Sequence, residues 1–460
     1  MKSPAHIFRE YDVRGLVDED LSDELVRALG RAFATFLRRA VGSERVEIAL
    51  GRDVRPSSEG LRDALAEGMA AAGARVVDVG VVPTPVVYYA CHRLGTDGGV
   101  MITGSHNPPE YNGFKLGYRD LPLTGEEIQR VRGLIEADDF DAGAGSFEER
   151  PMSEEYQDMV ASRVELARPV KVVLDPANAT GALFAADLLE RVGAEVDRLF
   201  DEVDGTFPNH HPDPTVDAYV TDLRERVVEI GAELGIGLDG DCDRIGAVDE
   251  TGRLVRGDQL TAVFARDQLE RTPGERILFD VKSSLALEED IRAHGGVPVM
   301  WKTGHSLAKQ KMKADGIPFG GEMSGHLFFF HEYWEFDDAI FAACRLCEIL
   351  SRSEESLAAM VDSLKQYHST PEVRIETTEE RKWDIVRAAR DDFRARYPTV
   401  DIDGVRISFE RGWALLRASN TQPVIVLRAE GETEAALESI KNEIETFLRS
   451  QGIAGVPWVG

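Results

Sequence analysis

Cysteine is scarce in this 460-residue chain: four residues in all, too few for a disulfide framework. Cys344 and Cys347 form a C-x-x-C, but no second pair exists to complete a zinc site. Their stretch, Asp338-Ala-Ile-Phe-Ala-Ala-Cys-Arg-Leu-Cys-Glu-Ile-Leu, reads as an amphipathic helix with both thiols on one packed face. Long apolar runs are missing too. No stretch approaches the roughly 18 residues of a membrane span, and Met1-Lys-Ser-Pro-Ala-His lacks the apolar core of a secretory signal. The expectation is a cytoplasmic protein. Lysine is the third shortage, 11 of 53 basic residues, set against 82 acidic ones for a net charge of −29. Such a surface repels nucleic acid and anionic membranes, so neither is expected as a partner. A high-salt cytoplasm and an arginine-favouring genome would each produce it. Any anion-binding site must then be a local basic patch in a negative field.

The length calls for about three or four domains. Three times the chain repeats an order of strand, polar turn, helix, strand and polar loop. The first copy runs through Val46–Leu50, a helix from about Ser58 to Gly73 and the strand 74–79. The second opens at Lys171–Asp175, followed by a helix from about Gly181 and the strand 195–200. The third opens at Arg276–Asp280, with a helix from about Leu285 and the strand Val297–Trp301. The spacing is too irregular for a solenoid. Beyond about Pro371 the pattern changes to strand, helix (Lys382 to Tyr397), two strands about Gly412, a further strand from Val424 and a long final helix. The expected fold is therefore α/β: three related domains with mixed sheets (1–150, 151–255, 256–368) and a smaller α+β domain (369–460) around a central cleft.

Each unit offers one polar loop at the end of its sheet, where α/β folds place ligand sites. In the first, Met101-Ile-Thr-Gly-Ser-His-Asn-Pro-Pro109 presents Ser105 at the tip of a turn stiffened by two prolines. That makes Ser105 a candidate nucleophile, although the G-x-S-x-G elbow of α/β-hydrolases is absent. In the second, Asp239-Gly-Asp-Cys-Asp-Arg244 sets three carboxylates at alternate positions, a donor set for a hard divalent cation. The third, Gly321-Glu-Met-Ser-Gly-His326, offers Glu322, Ser324 and His326 for hydrogen bonds to adjacent hydroxyls. In the fourth, Arg417, Ser419, Asn420 and Thr421 form a cradle for a phosphate. Each loop alone would pass as a solvated turn; four from four domains do not.

Together with Phe8-Arg-Glu-Tyr-Asp-Val-Arg-Gly15 and Tyr111-Asn-Gly-Phe-Lys115, these loops resemble the signatures of the α-D-phosphohexomutase superfamily, in the right order over the whole chain. The Gly-Glu-Met-Ser-Gly-His form resembles the bacterial phosphomannomutase/phosphoglucomutase branch. Phosphoglucosamine mutases usually carry Gln where Met323 stands and Ala where Gly104 stands. The resemblance implies an isomerase carrying phosphate on Ser105, with Mg²⁺ held by Asp239, Asp241, Asp243 and a phosphoserine oxygen. A mannose or glucose 1- or 6-phosphate would be converted through a hexose 1,6-bisphosphate that turns over within the cleft. Lys115 and Arg244 would supply positive charge, with Arg14, Tyr11, Lys282 and His305 also in the cleft. Lys115 and His326 are the candidates for proton transfer, while His305 could equally be a structural turn histidine. The expected partners are small sugar phosphates, and the expected assembly a monomer or weak dimer. Glucosamine phosphate as substrate, and a metal-dependent sugar phosphatase, are the alternative readings. A non-catalytic sensor should have lost Ser105 or an aspartate, and both are retained.

Overall fold

The computed structural model of the chain describes residues 3–119, 121–419 and 422–458. Four sheets follow one another along the sequence. The first draws its strands from Val13 to Glu149. Its centre is parallel, with Glu47–Arg52 between Gly98–Ile102 and Arg75–Val81. Two antiparallel strands extend it, Tyr111–Tyr118 against Gly98–Ile102 and Val13–Leu16 beyond. Neither was evident as a strand in the sequence. Tyr111–Tyr118 contains two glycines and alternates poorly, and Val13–Leu16 lies in a segment that reads as polar. Both are held by their partners rather than by local preference.

The helix Asp23–Val41 has both ends set by local stop signals. The Ser22 hydroxyl accepts from Leu25 N, and Gly42, at φ 72°, closes the other end. The helix expected from Gly181 is broken instead. A 3₁₀ turn, Thr180–Leu183, precedes the helix Ala185–Arg191. The cause is tertiary: the Thr180 hydroxyl donates to Gly240 O at 2.9 Å, tying the turn to the acidic loop. The last-domain helix begins at Glu379, three residues before the expected start, where the Thr378 side chain accepts from Arg381 N. Cys344 and Cys347 lie within the helix Ala339–Arg352, both free and buried, and burial pushes the Cys347 thiol up to about 12. That confirms packing as their role. Among the described residues no helix is long and apolar enough to cross a membrane.

One continuous apolar core joins parts of the first three units, from Met101 through Leu174, Ile236 and Phe279 to Leu346. The fourth unit, an all-antiparallel sheet under the helices Glu379–Arg394 and Glu434–Ser450, has a core of its own around Phe393, Ile425 and Ile444. The joint between the two bodies is mostly polar. Its apolar part is the small cluster Val281, Trp413 and Leu415. Beside it Arg406 lies 3.6 Å from the Trp413 ring centre and donates to Val281 O (2.6 Å) and Ser283 O (2.8 Å). Glu430 accepts from Trp413 Nε1 and from the Ser284 hydroxyl. A cavity of about 530 Å³ opens beside these residues, lined by Phe279, Leu285, Met300, Arg406 and Trp413 among others.

Arg406→Leu would strand two buried carbonyls, each worth about 1–3 kcal/mol. Urea unfolding of the variant should show the fourth unit melting ahead of the rest. A single transition with an unchanged midpoint would mean that the joint does not depend on this arginine.

Candidate active site

The serine loop is fixed from behind. Ser105 is 2% exposed and sits at φ 48°, a left-handed conformation that costs a non-glycine residue about 1–2 kcal/mol. Its amide donates to the Thr103 hydroxyl at 2.8 Å. Buried Arg55 supports the rest of the turn, donating to the carbonyls of Ser105 (2.8 Å), Asn107 (2.6 Å), Pro108 (2.6 Å) and Tyr111 (3.0 Å). Asp53 orients the guanidinium through Arg55 Nε at 3.0 Å. Gly104 is required by this closeness, since a Cβ there would stand 2.6 Å from Arg55 Cζ. Sequence reading missed Arg55 and Asp53. Their only signal was position, directly after the strand Glu47–Arg52.

The acidic loop of the second sheet presses onto this turn. A Cβ on Gly240 would meet Ser105 O at 2.2 Å. Cys242, at φ 58°, curls the loop so that Asp239, Asp241 and Asp243 converge, all at least 99% buried. The Ser105 hydroxyl donates to Asp239 Oδ2 at 2.9 Å, and Asp239 Oδ1 accepts the amides of Asp243 (3.0 Å) and Arg244 (3.1 Å). Asp241 Oδ2 accepts from Thr84 Oγ1, and Lys115 Nζ donates to Asp241 and Asp243. Two oxygens remain buried without a hydrogen bond, Asp241 Oδ1 and Asp243 Oδ1. Burial, then the charges of Asp243 and Asp241, push the Asp239 carboxyl well above its usual range. Three carboxylates with one ammonium and two orphaned oxygens fit a hard divalent cation. Burial alone would lower Lys115, but Asp241 and Asp243 more than reverse it and hold the ammonium protonated. That suits Lys115 to supply charge rather than to accept a proton.

His326, on the third unit's loop, stands beside the cage, with Nε2 3.4 Å from Asp243 Oδ1 and Nδ1 3.2 Å from Glu322 Oε2 and 2.9 Å from the Ser324 hydroxyl. Burial would lower it; Asp243 and Glu322 offset that and bring it to about 9, an imidazolium at neutral pH. Glu322, 1% exposed, also accepts from Gly304 N at 2.6 Å, so its carboxylate is engaged within the protein, whereas Ser324 is partly open. His305 opens the helix His305–Asp315 and stacks on His326 with centroids 5.1 Å apart. Burial and Lys309 lower its pKa, leaving it neutral. Arg244 Nε lies 3.4 Å from His326 Nε2, and Arg14 bridges Asp12 and Asn107.

The fourth unit faces the same cleft. Arg417, 7% exposed, donates from Nε to Asp403 at 3.1 Å, and the same carboxylate oxygen accepts from Thr303 N of the third unit at 3.1 Å. Asp403 thus ties the Arg417 loop to the loop before His305. Tyr11 Oη donates to Thr303 O at 2.9 Å, closing the circle with the first unit. Lys282 Nζ reaches Glu372 at 3.2 Å. Buried Lys382, another residue missed in the sequence, donates to Ser419 O (2.7 Å) and Gln422 O (3.1 Å) in the Arg417 loop. Asn420 and Thr421 lie outside the described residues.

Comparison with known proteins gives the cleft a context. The chain matches, in order, phosphoglucomutase/phosphomannomutase α/β/α domain I over residues 5–142, domain II over 154–252, domain III over 256–367 and the C-terminal domain over 372–447. It is 43% identical over 453 residues to a phosphomannomutase/phosphoglucomutase of Pseudomonas aeruginosa, covering 97% of this chain and 96% of the relative. It is 42% identical over 449 residues to a phosphoglucomutase of Neisseria gonorrhoeae, with 96% and 97% covered. The crystal structure of a phosphoglucomutase/phosphomannomutase family protein from Burkholderia thailandensis superposes with a TM-score of 0.92 at 38% identity, covering 99% of this chain and all of that one.

Removing Arg55 should undo the serine turn before anything else. Arg55→Ala is expected to cost about 3–5 kcal/mol, as for a broken buried ion pair, and to speed amide exchange over residues 103–111. Hydrogen-exchange mass spectrometry reads this directly. Acceleration spread evenly over the chain would show that Arg55 has no special hold on the loop.

Proposed function

The chain belongs to the phosphoglucomutase/phosphomannomutase family, and on that footing we propose how its own residues divide the work. The enzyme interconverts hexose 1-phosphate and hexose 6-phosphate, of mannose or glucose, through a phosphoserine and a hexose 1,6-bisphosphate. Full-length likeness to two such mutases, with all four domains in order, carries this reading. The structural observation that fits it best is the 2.9 Å contact between the Ser105 hydroxyl and Asp239, which joins nucleophile and cation cage across two domains.

Ser105 is the proposed phosphoryl carrier. Asp239, Asp241 and Asp243, with an oxygen of the phosphorylated serine, are the proposed holders of Mg²⁺, which would neutralise charge on the phosphoryl group in transfer. The chain's own part is to position and to balance charge. Arg417 and Ser419, with Asn420 and Thr421, grip the phosphate already on the sugar. Ser324 and Lys282 face the sugar, with Glu322 holding His326 in place. The free hydroxyl then lies toward Ser105, where Lys115, Arg14 and Arg244 surround the transferring group with positive charge. His326, held protonated, can give the sugar oxygen its proton when phosphate returns to Ser105. The bisphosphate must turn end for end between the two transfers. We propose that the fourth unit opens slightly for that turn and closes through Asp403 and Arg417 for chemistry. The hexose 1,6-bisphosphate should also reload the serine if the phosphate is lost.

Intact-mass analysis of protein incubated with glucose 1,6-bisphosphate should find one phosphate, absent in Ser105→Ala. Phosphate persisting on the alanine variant would move the carrier elsewhere.

Arg417→Ala should raise KM about 10- to 100-fold, the loss of one or two charge-assisted hydrogen bonds. It should also release bisphosphate into solution during turnover. Unchanged KM without leakage would place the phosphate grip on other residues.

A further inference from the structure

Beside the aspartate cage four side chains of different elements converge as two facing imidazole–carboxylate pairs, His305 with Asp337 and His326 with Asp243. Asp243 comes from the acidic loop, His326 from the third unit's loop, His305 from the start of a helix, and Asp337 from the segment before the helix Ala339–Arg352. One donor atom from each lies within 4.8 Å of the others, and all four residues are at least 91% buried. The lysines nearby are already spent on the outer oxygens. Lys309 takes Asp337 Oδ1 at 2.6 Å, and Lys115 takes Asp243 Oδ2. The inner atoms are left: Asp243 Oδ1, Asp337 Oδ2 and His305 Nδ1 are all buried without a hydrogen bond.

We propose that Asp243, His305, His326 and Asp337 form a second cation site, selective for a transition metal and distinct from the three-aspartate cage. The spacing supports it. Around a tetrahedral centre with bonds of about 2.0–2.1 Å, neighbouring donors stand roughly 3.3 Å apart. Here His305 Nδ1 lies 3.2 Å from Asp337 Oδ2, and His326 Nε2 lies 3.4 Å from Asp243 Oδ1 and 3.9 Å from Asp337 Oδ2. Two imidazole nitrogens with two carboxylate oxygens suit Zn²⁺ or Co²⁺, whereas Mg²⁺ prefers oxygen donors alone. Arg244, a partly exposed residue whose Nε lies 3.4 Å from His326 Nε2, must swing aside, and His326 must give up its second proton to the solvent as the metal binds. Because Asp243 serves both sites and His326 would be ligated, a metal here silences the enzyme. That consequence rests on the mutase reading above; the site itself does not.

Co²⁺ is the probe, titrated into the full-length protein with Mg²⁺ saturating. One equivalent should give the intense visible bands of a four-coordinate centre. Asp337→Asn and His305→Gln should each abolish them, while Asp239→Asn, which removes a cage carboxylate but keeps the oxygen that accepts the Asp243 amide, should keep them. If Asp337→Asn fails to fold with Lys309 unpaired, His305→Gln decides alone. No binding, a pale six-coordinate spectrum, or bands lost with Asp239→Asn but kept without His305 would overturn the site. Zn²⁺ should then inhibit turnover in step with its displacement of the Co²⁺ bands, and full turnover on the loaded protein would overturn the silencing.

Discussion

The structure turns on burying several carboxylates around one hydroxyl. Asp239, Asp241 and Asp243 sit out of water beside Ser105, with Glu322 and Asp337 a short way off. In such surroundings like charges repel strongly and desolvation adds to the strain. Everything close by answers that load. Lys115 enters the cage, Lys309 holds Asp337, and His326 is kept charged by Asp243 and Glu322. A phosphorylated serine would add further negative charge, so the site is built to need a cation. The chain's overall acidity makes this local gathering of positive charge more telling, since three buried lysines of the scarce 11 are placed here and under the Arg417 loop.

Much of this was legible in the sequence, and the reason is physical. The reactive groups sit on short loops after strands, where spacing along the chain fixes spacing in space. Alternate aspartates converge because one loop carries them, whereas the Arg417 loop took its meaning from the company of the other three. Helix ends are set within the local sequence where caps are local, as at Ser22 and Gly42.

What stayed hidden depends on contacts between remote segments. Arg55 lies 50 residues from the serine whose carbonyl it holds, and Lys382 lies 37 from Ser419. Neither has a neighbour in sequence that betrays its task. Asp337 stands in a loop with no motif, and its meaning comes only from the histidine stack it faces. The strands Val13–Leu16 and Tyr111–Tyr118, and the break before Ala185, were likewise decided by tertiary partners.

The polar joint of the fourth unit has a thermal consequence. Heat capacity changes follow the apolar area brought into water. A swing at that joint uncovers little beyond Val281, Trp413 and Leu415, because the fourth unit keeps its own core throughout. Opening and closing should therefore carry almost no heat-capacity change. The balance between the two states would follow a nearly straight van't Hoff line, drifting gently with temperature while the folded body around it obeys the usual curved dome.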